Sequence, residues 1–198
     1  MRIIGGKAKG RKIRVPEGCR IRPTTDRVKK SLFDILHPIE GKSFLDLFSG
    51  SCSVGLEALS RGARVAIFVE RDHRLAGLGR DVLQELGFDH ISEVVIADVE
   101  RGLRHLMNRG THFDVVFADP PYGEGLPVKV LQWVCDADIL NEKGIAVFQH
   151  SIREEVGTPE LRSYTWMDQR RYGDTMLSFF IKDRGNGHEK DCGLSGLF

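Results

Sequence analysis

Apolar side chains in this sequence follow two different spacings, which alternate from Lys42 onward. Five short runs rich in Val, Ile, Leu and Phe predict β-strands over residues 43–48, 64–70, 93–97, 113–118 and 144–150. After each of the first four runs, apolar residues recur at helical spacing. Strands that alternate with helices are typical of a mostly parallel sheet with helices on both faces, so an α/β fold is predicted.

The end of this region departs from the alternation. Residues 164–170 and 174–181 are strand-like in composition and lie close together, with no helical segment between them. They predict an antiparallel hairpin that closes a seven-stranded sheet. The folded domain is therefore predicted to cover residues 41–183, and the Gly-rich, polar tail at 184–198 is expected to be disordered.

Residues 1–40 have a different pattern, which predicts a small N-terminal extension. Residues 3–4 and 13–15 flank a loop of glycine and basic residues, as in a short hairpin. Thr25 then precedes apolar residues at helical spacing, which predicts an amphipathic helix that begins at a threonine cap and ends near Pro38. Three basic residues outside its apolar stripe are expected to face nucleic acid or water: Arg27, Lys29 and Lys30.

Charge is distributed unevenly along the chain. The net charge is +1, but residues 1–30 hold eleven Lys and Arg against two acids, a local charge of +9 that leaves −8 for the remainder. Basic N-terminal segments commonly bind nucleic acid through its phosphates. The basic residues are interleaved with glycines rather than arranged as helical ion pairs, which favours a nucleic-acid contact over a merely solvated surface.

Neither a membrane segment nor a metal site is indicated. The sequence contains no apolar run near the length of a membrane span, and its N-terminus lacks the hydrophobic segment of a secretory signal. The four cysteines are scattered and form no C-x-x-C pair, so free thiols and no metal are expected: Cys19, Cys52, Cys135 and Cys192. Without a membrane span or a secretory signal, the protein is expected in the cytoplasm. Its length and its 41% hydrophobic residues predict one domain with a sizeable core.

The fourth predicted strand ends abruptly in Asp119-Pro120-Pro121-Tyr122. Proline has no backbone N–H and a fixed φ, and it forces the preceding residue into an extended conformation. The carbonyl groups of this loop are therefore expected to be held stiffly and directed outward. We predict that the chemistry of the protein takes place at this loop.

A second candidate site is the loop after the first predicted strand, which contains Gly50 and Gly55. In open α/β sheets ligands bind at the carboxyl ends of the strands, and glycine lets the backbone approach a ligand or lets a helix pack closely. Glu70 ends the second strand about twenty residues later, where an acid commonly binds the hydroxyls of a ribose. These features predict a cofactor that contains adenosine.

Two cofactor classes meet this description. The dinucleotide fingerprint needs a glycine where the chain has Cys52, whereas S-adenosylmethionine has no pyrophosphate and tolerates Cys52 better. Asp98, after the third strand, is expected either to accept a hydrogen bond from an adenine amine or to cap the next helix. Asp46 is expected either to contact the methionine part of the cofactor or only to brace the loop.

Taken together, these motifs resemble those of the RNA guanine-N2 methyltransferases that modify one guanine of bacterial small-subunit (16S) ribosomal RNA. The Pro-Pro-Tyr loop alone is shared by many amino-group methyltransferases, whereas the N-terminal motifs are more specific. Cys52 departs from the glycine usual in that family, and the tail beyond Arg184 has no counterpart. The resemblance covers almost the whole folded part and rests on residues 2–6, 22–28, 46–50, 119–122 and 171–175.

The resemblance implies a Rossmann-like class I methyltransferase fold, S-adenosylmethionine as cofactor, and methyl transfer to the N2 amine of a guanine turned out of its stack. Asp119 and the Pro120 carbonyl would accept hydrogen bonds from the amine N–H groups, and Tyr122 would stack on the base. The implied catalytic residues are Asp119, Pro120, Pro121 and Tyr122. The implied cofactor-binding residues are Thr24, Asp46, Phe48, Ser49, Gly50, Ser51, Glu70, Arg71, Asp98 and Asp119. The residues expected to contact RNA are Lys7, Lys9, Arg11, Lys12, Arg22 and Arg27.

The expected partner is small-subunit ribosomal RNA or an assembling 30S particle, with the enzyme acting as a monomer. Three other interpretations stay open at this point. The same loop chemistry serves amino-group methyltransferases acting on another RNA, on DNA or on a protein glutamine. Cys52 makes a catalytically lapsed RNA-binding protein conceivable. A nicotinamide oxidoreductase is the third and is disfavoured by the missing glycine.

Overall fold

The computed structural model describes residues 1–13, 24–121, 125–154, 156 and 163–183. The helices are α1 Asp26–Ile35, α2 Ser53–Ser60, α3 His73–Glu85, α4 Val99–Asn108 and α5 Leu126–Asp136, with a short 3-10 turn at Asp89–Ile91. The strands are β1 Ser43–Leu47, β2 Val65–Glu70, β3 Ser92–Ile96, β4 Phe113–Ala118, β5 Leu140–Ser151, β6 Tyr164–Tyr172 and β7 Thr175–Lys182. The tail predicted to be disordered, 184–198, lies outside the described residues.

The strands of this part of the chain form one sheet in the order β3-β2-β1-β4-β5-β7-β6. β1 to β5 are parallel to one another, and β7 runs antiparallel between β5 and β6. The predicted α/β fold with its terminal antiparallel hairpin is confirmed. We call the edge where β1, β2 and β4 end the carboxyl edge, and the opposite one the amino edge.

Strand β5 begins earlier than its apolar run predicts. It starts at Leu140 instead of Gly144, because the polar residues between them form an irregularity in the pairing with β4, where Phe113 pairs with Leu140 and Val115 with Ile145. Lys143 has a positive φ of 60° within this irregularity. A polar, turn-like composition therefore belongs to a bulged strand at this point.

Helices cover the two faces of the sheet. α1, α2 and α3 pack on one face through residues such as Leu32, Leu56 and Val82, and they share a core with the inward side chains of β1, β4 and β7. α4 and α5 pack on the other face through Leu103, Leu106 and Val130. Burying both faces leaves the loops at the carboxyl edge as the place where polar side chains can gather.

Helix α1 has the predicted cap and apolar face. The Thr25 hydroxyl accepts a hydrogen bond from the Val28 N–H at 3.3 Å, and Val28, Leu32 and Phe33 are buried. The prediction that Lys29 faces solvent is wrong, because the N-terminal segment covers this part of the helix. Its Nζ is buried, donates to the Arg2 carbonyl at 2.5 Å and lies 3.7 Å from Asp26. Burial lowers the pKa of Lys29.

The N-terminal hairpin lies along α2. Within residues 1–13, its antiparallel pairing consists of one bridge between Arg2 and Lys12, with further hydrogen bonds from Ile3 N–H and Ile13 N–H across the turn. Residues 14 and 15 of the predicted hairpin lie outside the described residues. The buried Glu57 of α2 accepts from the Ile4 N–H at 2.8 Å, and Ile3 and Ile13 belong to the same core as α1 and α2.

Cys52 occupies a position whose backbone conformation favours glycine. It precedes α2 with φ 60°, in the left-handed region that non-glycine residues adopt at a cost of roughly 1 kcal/mol. Its thiol is fully buried and packs against α3, where a Cβ added at Gly79 would lie 2.5 Å from Cys52 Sγ. Burial raises the pKa of the Cys52 thiol far above its usual range. Gly79 in α3 thus makes room for the Cys52 side chain.

We expect Gly79→Ala to destabilise the protein by about 1–2 kcal/mol, because the new methyl group would overlap Cys52 Sγ. This sign is diagnostic, since Gly→Ala inside a helix ordinarily stabilises by about 0.5–1 kcal/mol. Gly77 in the same helix is the matched control: a Cβ there meets nothing within 4 Å, so Gly77→Ala should stabilise. In a Cys52→Gly background, Gly79→Ala should also become stabilising. Urea unfolding measures the effects of Gly79→Ala, of Gly77→Ala and of Gly79→Ala in the Cys52→Gly background. If Gly79→Ala still destabilises the protein when residue 52 is glycine, the proposed overlap with Cys52 Sγ is contradicted.

Candidate functional site

A cavity of about 600 Å³ opens at the carboxyl edge, between the ends of β1, β2 and β4. Its volume lies in the range of sites that bury a small-molecule ligand. The cavity brings together every described residue of the predicted catalytic and cofactor sets: Thr24, Asp46, Phe48, Ser49, Gly50, Ser51, Glu70, Arg71, Asp98, Asp119, Pro120 and Pro121. Tyr122 lies outside the described residues. Sequence motifs far apart along the chain therefore converge on one concave site.

The loop after β1 is held in place by Asp46. Its Oδ2 accepts a hydrogen bond from the Gly55 N–H at 2.9 Å, so the carboxylate braces the first turn of α2. Gly55 also allows α2 to press against β2, since a Cβ there would overlap the Phe68 ring. The predicted bracing role of Asp46 and the predicted close packing at Gly55 are both observed. Contact of Asp46 with a cofactor stays a prediction.

Glu70 joins two loops at the end of β2. Its Oε2 accepts from the Gly50 N–H and its Oε1 from the Asp72 N–H, each at 2.8 Å. The side chain is buried, 8% exposed, yet it lines the cavity. Because each carboxylate oxygen has two acceptor sites, Glu70 can hold both loops and still accept from a pair of hydroxyl groups.

Asp98 caps α4, which is one of its two predicted roles. Its Oδ1 accepts from the Arg101 N–H at 3.0 Å, and its side chain is half-exposed at the cavity rim. Asp72 caps α3 in the same way through the Arg74 N–H at 2.8 Å. Capping engages Oδ1 of Asp98, and its Oδ2 lies 3.4 Å from Arg101 Nε. Because each carboxylate oxygen has two acceptor sites, acceptance from an adenine amine is compatible with this geometry and stays a prediction.

Asp119 ends β4 at the cavity, next to the two prolines. Its Oδ2 accepts a hydrogen bond from Nε2 of Gln149, a buried residue of β5, at 2.7 Å. Pro120 is buried and Pro121 exposed, and both line the cavity with Asp119. The rigid acceptor loop predicted from the two prolines thus stands over the cavity.

Acidic side chains dominate the cavity. Six of its described lining residues are Asp or Glu, and one, Arg71, is basic. Burial raises the pKa of Asp46 well above its usual range, and the nearby charges of Asp119 and Glu70 raise it further. The carboxylates are thus close enough to act on one another. Such a cavity favours a ligand that carries a positive charge where these groups meet.

The basic loop of the hairpin lies away from this cavity. Its Lys7 N–H donates to the Ser60 carbonyl at the last residue of α2, which points to the amino edge. The Lys7 ammonium lies 4.6 Å from the centre of the Phe88 ring, and Arg11 pairs with Glu85 at 3.0 Å. With a rise of 1.5 Å per residue, the eight residues of α2 separate this loop from the cavity by about 12 Å.

Arg27, by contrast, is exposed in the first turn of α1. Arg22 lies outside the described residues.

Several cavity residues were not predicted. Leu75, Val99, Leu126 and Trp133 supply apolar lining, and Asp72 and Glu100 supply acids. The helix caps at Asp72 and Asp98 offered a signal for the acids, since the first turn of each following helix faces the carboxyl edge. No local pattern distinguishes Trp133 or Gln149, whose positions depend on how α5 and β5 pack.

Two negative observations apply to the described part of the chain. No group of three or more His, Cys, Asp or Glu side chains there is arranged to hold a metal ion. Within the same residues, no helix has the length and apolar character needed to span a membrane.

Comparison with known proteins agrees with the fold. A family model described as conserved hypothetical protein 95 matches residues 1–181. The protein named YlbH of Bacillus subtilis is 37% identical over 92% of this chain and 99% of its own length. The ribosomal RNA small subunit methyltransferase D of Escherichia coli strain K12 is 33% identical over 97% of this chain and 94% of its own.

A solved structure gives the same result. The Escherichia coli protein yhhF superposes on this chain with a TM-score of 0.80 at 32% identity, and the match covers 92% of this chain and 98% of that one. The extension, the sheet and the terminal hairpin are therefore shared with relatives over nearly their full length.

Proposed function

The chain belongs to the family described as conserved hypothetical protein 95, and on that premise we propose that it transfers a methyl group from S-adenosylmethionine to the N2 amine of a guanine in small-subunit ribosomal RNA. The observation that carries this proposal is the convergence of Asp119 and the two prolines with Glu70 at one acidic cavity. The name of the Escherichia coli relative supports the RNA as substrate. The Asp-Pro-Pro sequence supports an exocyclic amine as the acceptor.

The described residues fit the cofactor. Glu70, which already braces two loops, would hold the ribose hydroxyls, and Asp98 would accept from the adenine amine. The backbone at Gly50 approaches the cavity closely, and Phe48 and Leu75 add apolar surface. When bound, S-adenosylmethionine supplies an electrophilic methyl group on a positively charged sulfonium. The surplus of carboxylates around the cavity favours that charge.

The protein's part in the chemistry is to hold an amine that is a poor nucleophile. The lone pair of a guanine N2 amine is delocalised into the ring, and the nitrogen gains positive charge as it attacks. The Asp119 carboxylate and the Pro120 carbonyl would accept hydrogen bonds from its two N–H groups, which turns the lone pair toward the cavity and stabilises the developing charge. The prolines keep the loop rigid, so this field is present before the reaction begins. Positioning by such a loop can contribute several kcal/mol.

The RNA would contact the protein over more than the cavity. Exposed Arg27 marks the carboxyl edge, and Lys9 and Lys12 extend the positive surface along α2 toward the amino edge. A phosphate backbone that follows this surface spans about 12 Å or more. We expect the substrate to be a segment of ribosomal RNA, either free or in an assembling 30S particle. The enzyme acts on it as a monomer in the cytoplasm.

Replacing Lys7, Lys9, Arg11 and Lys12 together with Ala is expected to weaken RNA binding and to flatten its dependence on salt. Removing one phosphate interaction reduces the slope of log K against log salt by about 0.7–0.9. Lys7 and Arg11 already interact with Phe88 and Glu85, so the slope should fall by less than four such interactions imply. Filter binding over a range of salt concentrations measures the slope.

A matched control removes four exposed basic residues from α4, α5 and the turn between α4 and β4: Arg101, Arg104, Arg109 and Lys129. A slope that changes equally in both variants excludes the hairpin as a specific contact.

Identification of the methylated nucleotide tests the function. The protein is incubated with labelled S-adenosylmethionine and either naked ribosomal RNA or small-subunit particles from a strain that lacks the enzyme, and the product is digested to nucleosides. We expect N2-methylguanosine at one position. Labelled N6-methyladenosine or methylglutamine supports the rival amino-group methyltransferases instead. Absence of transfer, together with no calorimetric binding of S-adenosylhomocysteine, supports the lapsed RNA-binding protein.

A further inference from the structure

The side-chain amide of Gln149 contacts the carboxylate of Asp119, the predicted catalytic residue. Gln149 does not belong to any of the motifs identified in the sequence. It lies in β5, next to the end of β4: Ala118 pairs with Phe148, so Asp119 and Gln149 occupy the next positions of the two strands. The Gln149 Nε2 lies 2.7 Å from Asp119 Oδ2. Gln149 is 2% exposed, whereas Asp119 is partly exposed at the cavity, so the hydrogen bond joins a buried donor to an accessible carboxylate.

The other end of the same amide is not satisfied. Within the described part of the chain, no hydrogen-bond donor reaches the buried Gln149 Oε1. An unpaired buried polar atom costs about 1–3 kcal/mol, and buried polar groups are nearly always paired. The flipped amide would place an oxygen against the Asp119 carboxylate, so the contact with Asp119 fixes the observed orientation. The neighbours Val147, Phe148 and Leu177 are apolar, and an apolar residue at 149 would suit them better.

We propose that Gln149 is a positioning residue for methyl transfer: its amide holds the Asp119 carboxylate in one orientation toward the cavity and keeps it an acceptor. This inference rests on the function proposed above. An amide N–H cannot surrender its proton to the carboxylate, whereas a protonated acid in its place could. Hydrogen bonding to the ionised form of Asp119 also offsets the electrostatic interaction between Asp119 and the nearby Asp46. The unsatisfied Oε1 is the cost of placing that donor.

The first test is Gln149→Leu, which removes the donor and the unpaired oxygen while preserving volume. We expect kcat to fall roughly 10- to 100-fold, since a misplaced catalytic group has effects of that size. The KM for RNA and the affinity for S-adenosylhomocysteine should stay within about threefold of wild type, because neither depends on the orientation of Asp119. The melting temperature should not fall, because an orphaned polar atom has been removed. A kcat within threefold of wild type, or a loss of kcat matched by a loss of thermal stability, overturns the proposal.

The second test is Gln149→Glu, which introduces a titratable group at the same place. Two adjacent carboxyl groups share one proton, so at lower pH the new acid donates to Asp119 and at higher pH both are ionised and repel. The kcat of the variant relative to wild type should therefore rise as pH is lowered between about 9 and 6. Asp46 and Glu70 are present in both wild type and variant. The His150 side chain lies on the opposite face of β5 from residue 149, where it contacts Ser178. The ratio of the two kcat values therefore isolates the effect of position 149.

A ratio that does not change with pH overturns the proposal even where Gln149→Leu fails to fold. The wild-type enzyme serves as the control for function in the same series. Wild type that transfers no methyl group to guanine refutes the proposed function, whereas active wild type with unaffected variants refutes the positioning role alone.

Discussion

Asp119→Ala is expected to reduce turnover by a factor of roughly 10²–10³ or more while leaving cofactor affinity within about threefold of wild type. Removal of one preorganised hydrogen-bonding group at a site of developing charge has effects of this size. Asp119 is expected to act on the amine during methyl transfer and contributes little to binding in the ground state, so the loss should appear in kcat and not in KM. Single-turnover methylation and calorimetric titration with S-adenosylhomocysteine measure the two quantities separately.

Two further variants make this result specific. Asp119→Asn keeps the shape of the side chain but converts one acceptor into a donor, and we expect a similar loss of turnover. Asp89→Ala removes an exposed acid in the turn before β3, near the amino edge, and should leave both quantities unchanged. Turnover of Asp119→Ala near that of wild type would remove the carboxylate from the mechanism.

Glu70→Ala should produce the opposite pattern, a loss of cofactor affinity of roughly 100-fold. The variant loses the acceptor for the ribose and also the two hydrogen bonds that set the loops at Gly50 and Asp72. Hydrogen bonds to a charged group contribute about 1.5–3 kcal/mol each, so the loss of two should also lower the unfolding free energy by about 3–6 kcal/mol. Methylation at saturating cofactor should recover part of the rate.

Calorimetry with S-adenosylhomocysteine and urea unfolding measure these two effects of Glu70→Ala. Glu70→Gln separates them further, because the amide retains one acceptor oxygen and presents a donor to the second backbone N–H. Its affinity should lie between those of wild type and Glu70→Ala. Unchanged affinity in Glu70→Ala would exclude this residue from the cofactor site.

The sequence predicted the centre of the sheet well because β1, β2 and β4 are compact apolar runs that are buried on both faces. β4 matches its predicted bounds, and β1, β2 and β3 differ from theirs by one residue at either end. β5 was less predictable, since Asn141, Glu142 and Lys143 have turn composition but form a bulged part of the strand. Polar composition indicates that a segment is exposed, but it does not show that the segment is a loop. The bulge at the start of β5 is exposed and still belongs to the strand.

Side-chain environments were harder to predict than elements. Lys29 lies outside the apolar stripe of α1, and only the hairpin docked on that helix buries it. The basic loop was predicted to contact RNA, but its location in the fold was not predictable, because its place at the end of α2 depends on contacts with Ser60 and Glu57 that are more than fifty positions away. Gln149 was missed for the same reason, since only the parallel pairing of β4 and β5 brings it to Asp119.

The arrangement of Asp119 and Pro120 around the target amine is the central claim, and a structure of the ternary complex tests it most directly. The protein is crystallised with S-adenosylhomocysteine and an RNA segment that contains the methylated guanine. We expect the guanine N2 to lie about 3 Å from both a carboxylate oxygen of Asp119 and the carbonyl oxygen of Pro120. Its lone pair should point toward the sulfur of S-adenosylhomocysteine. A base bound with its N2 amine turned away from both oxygens would contradict the account.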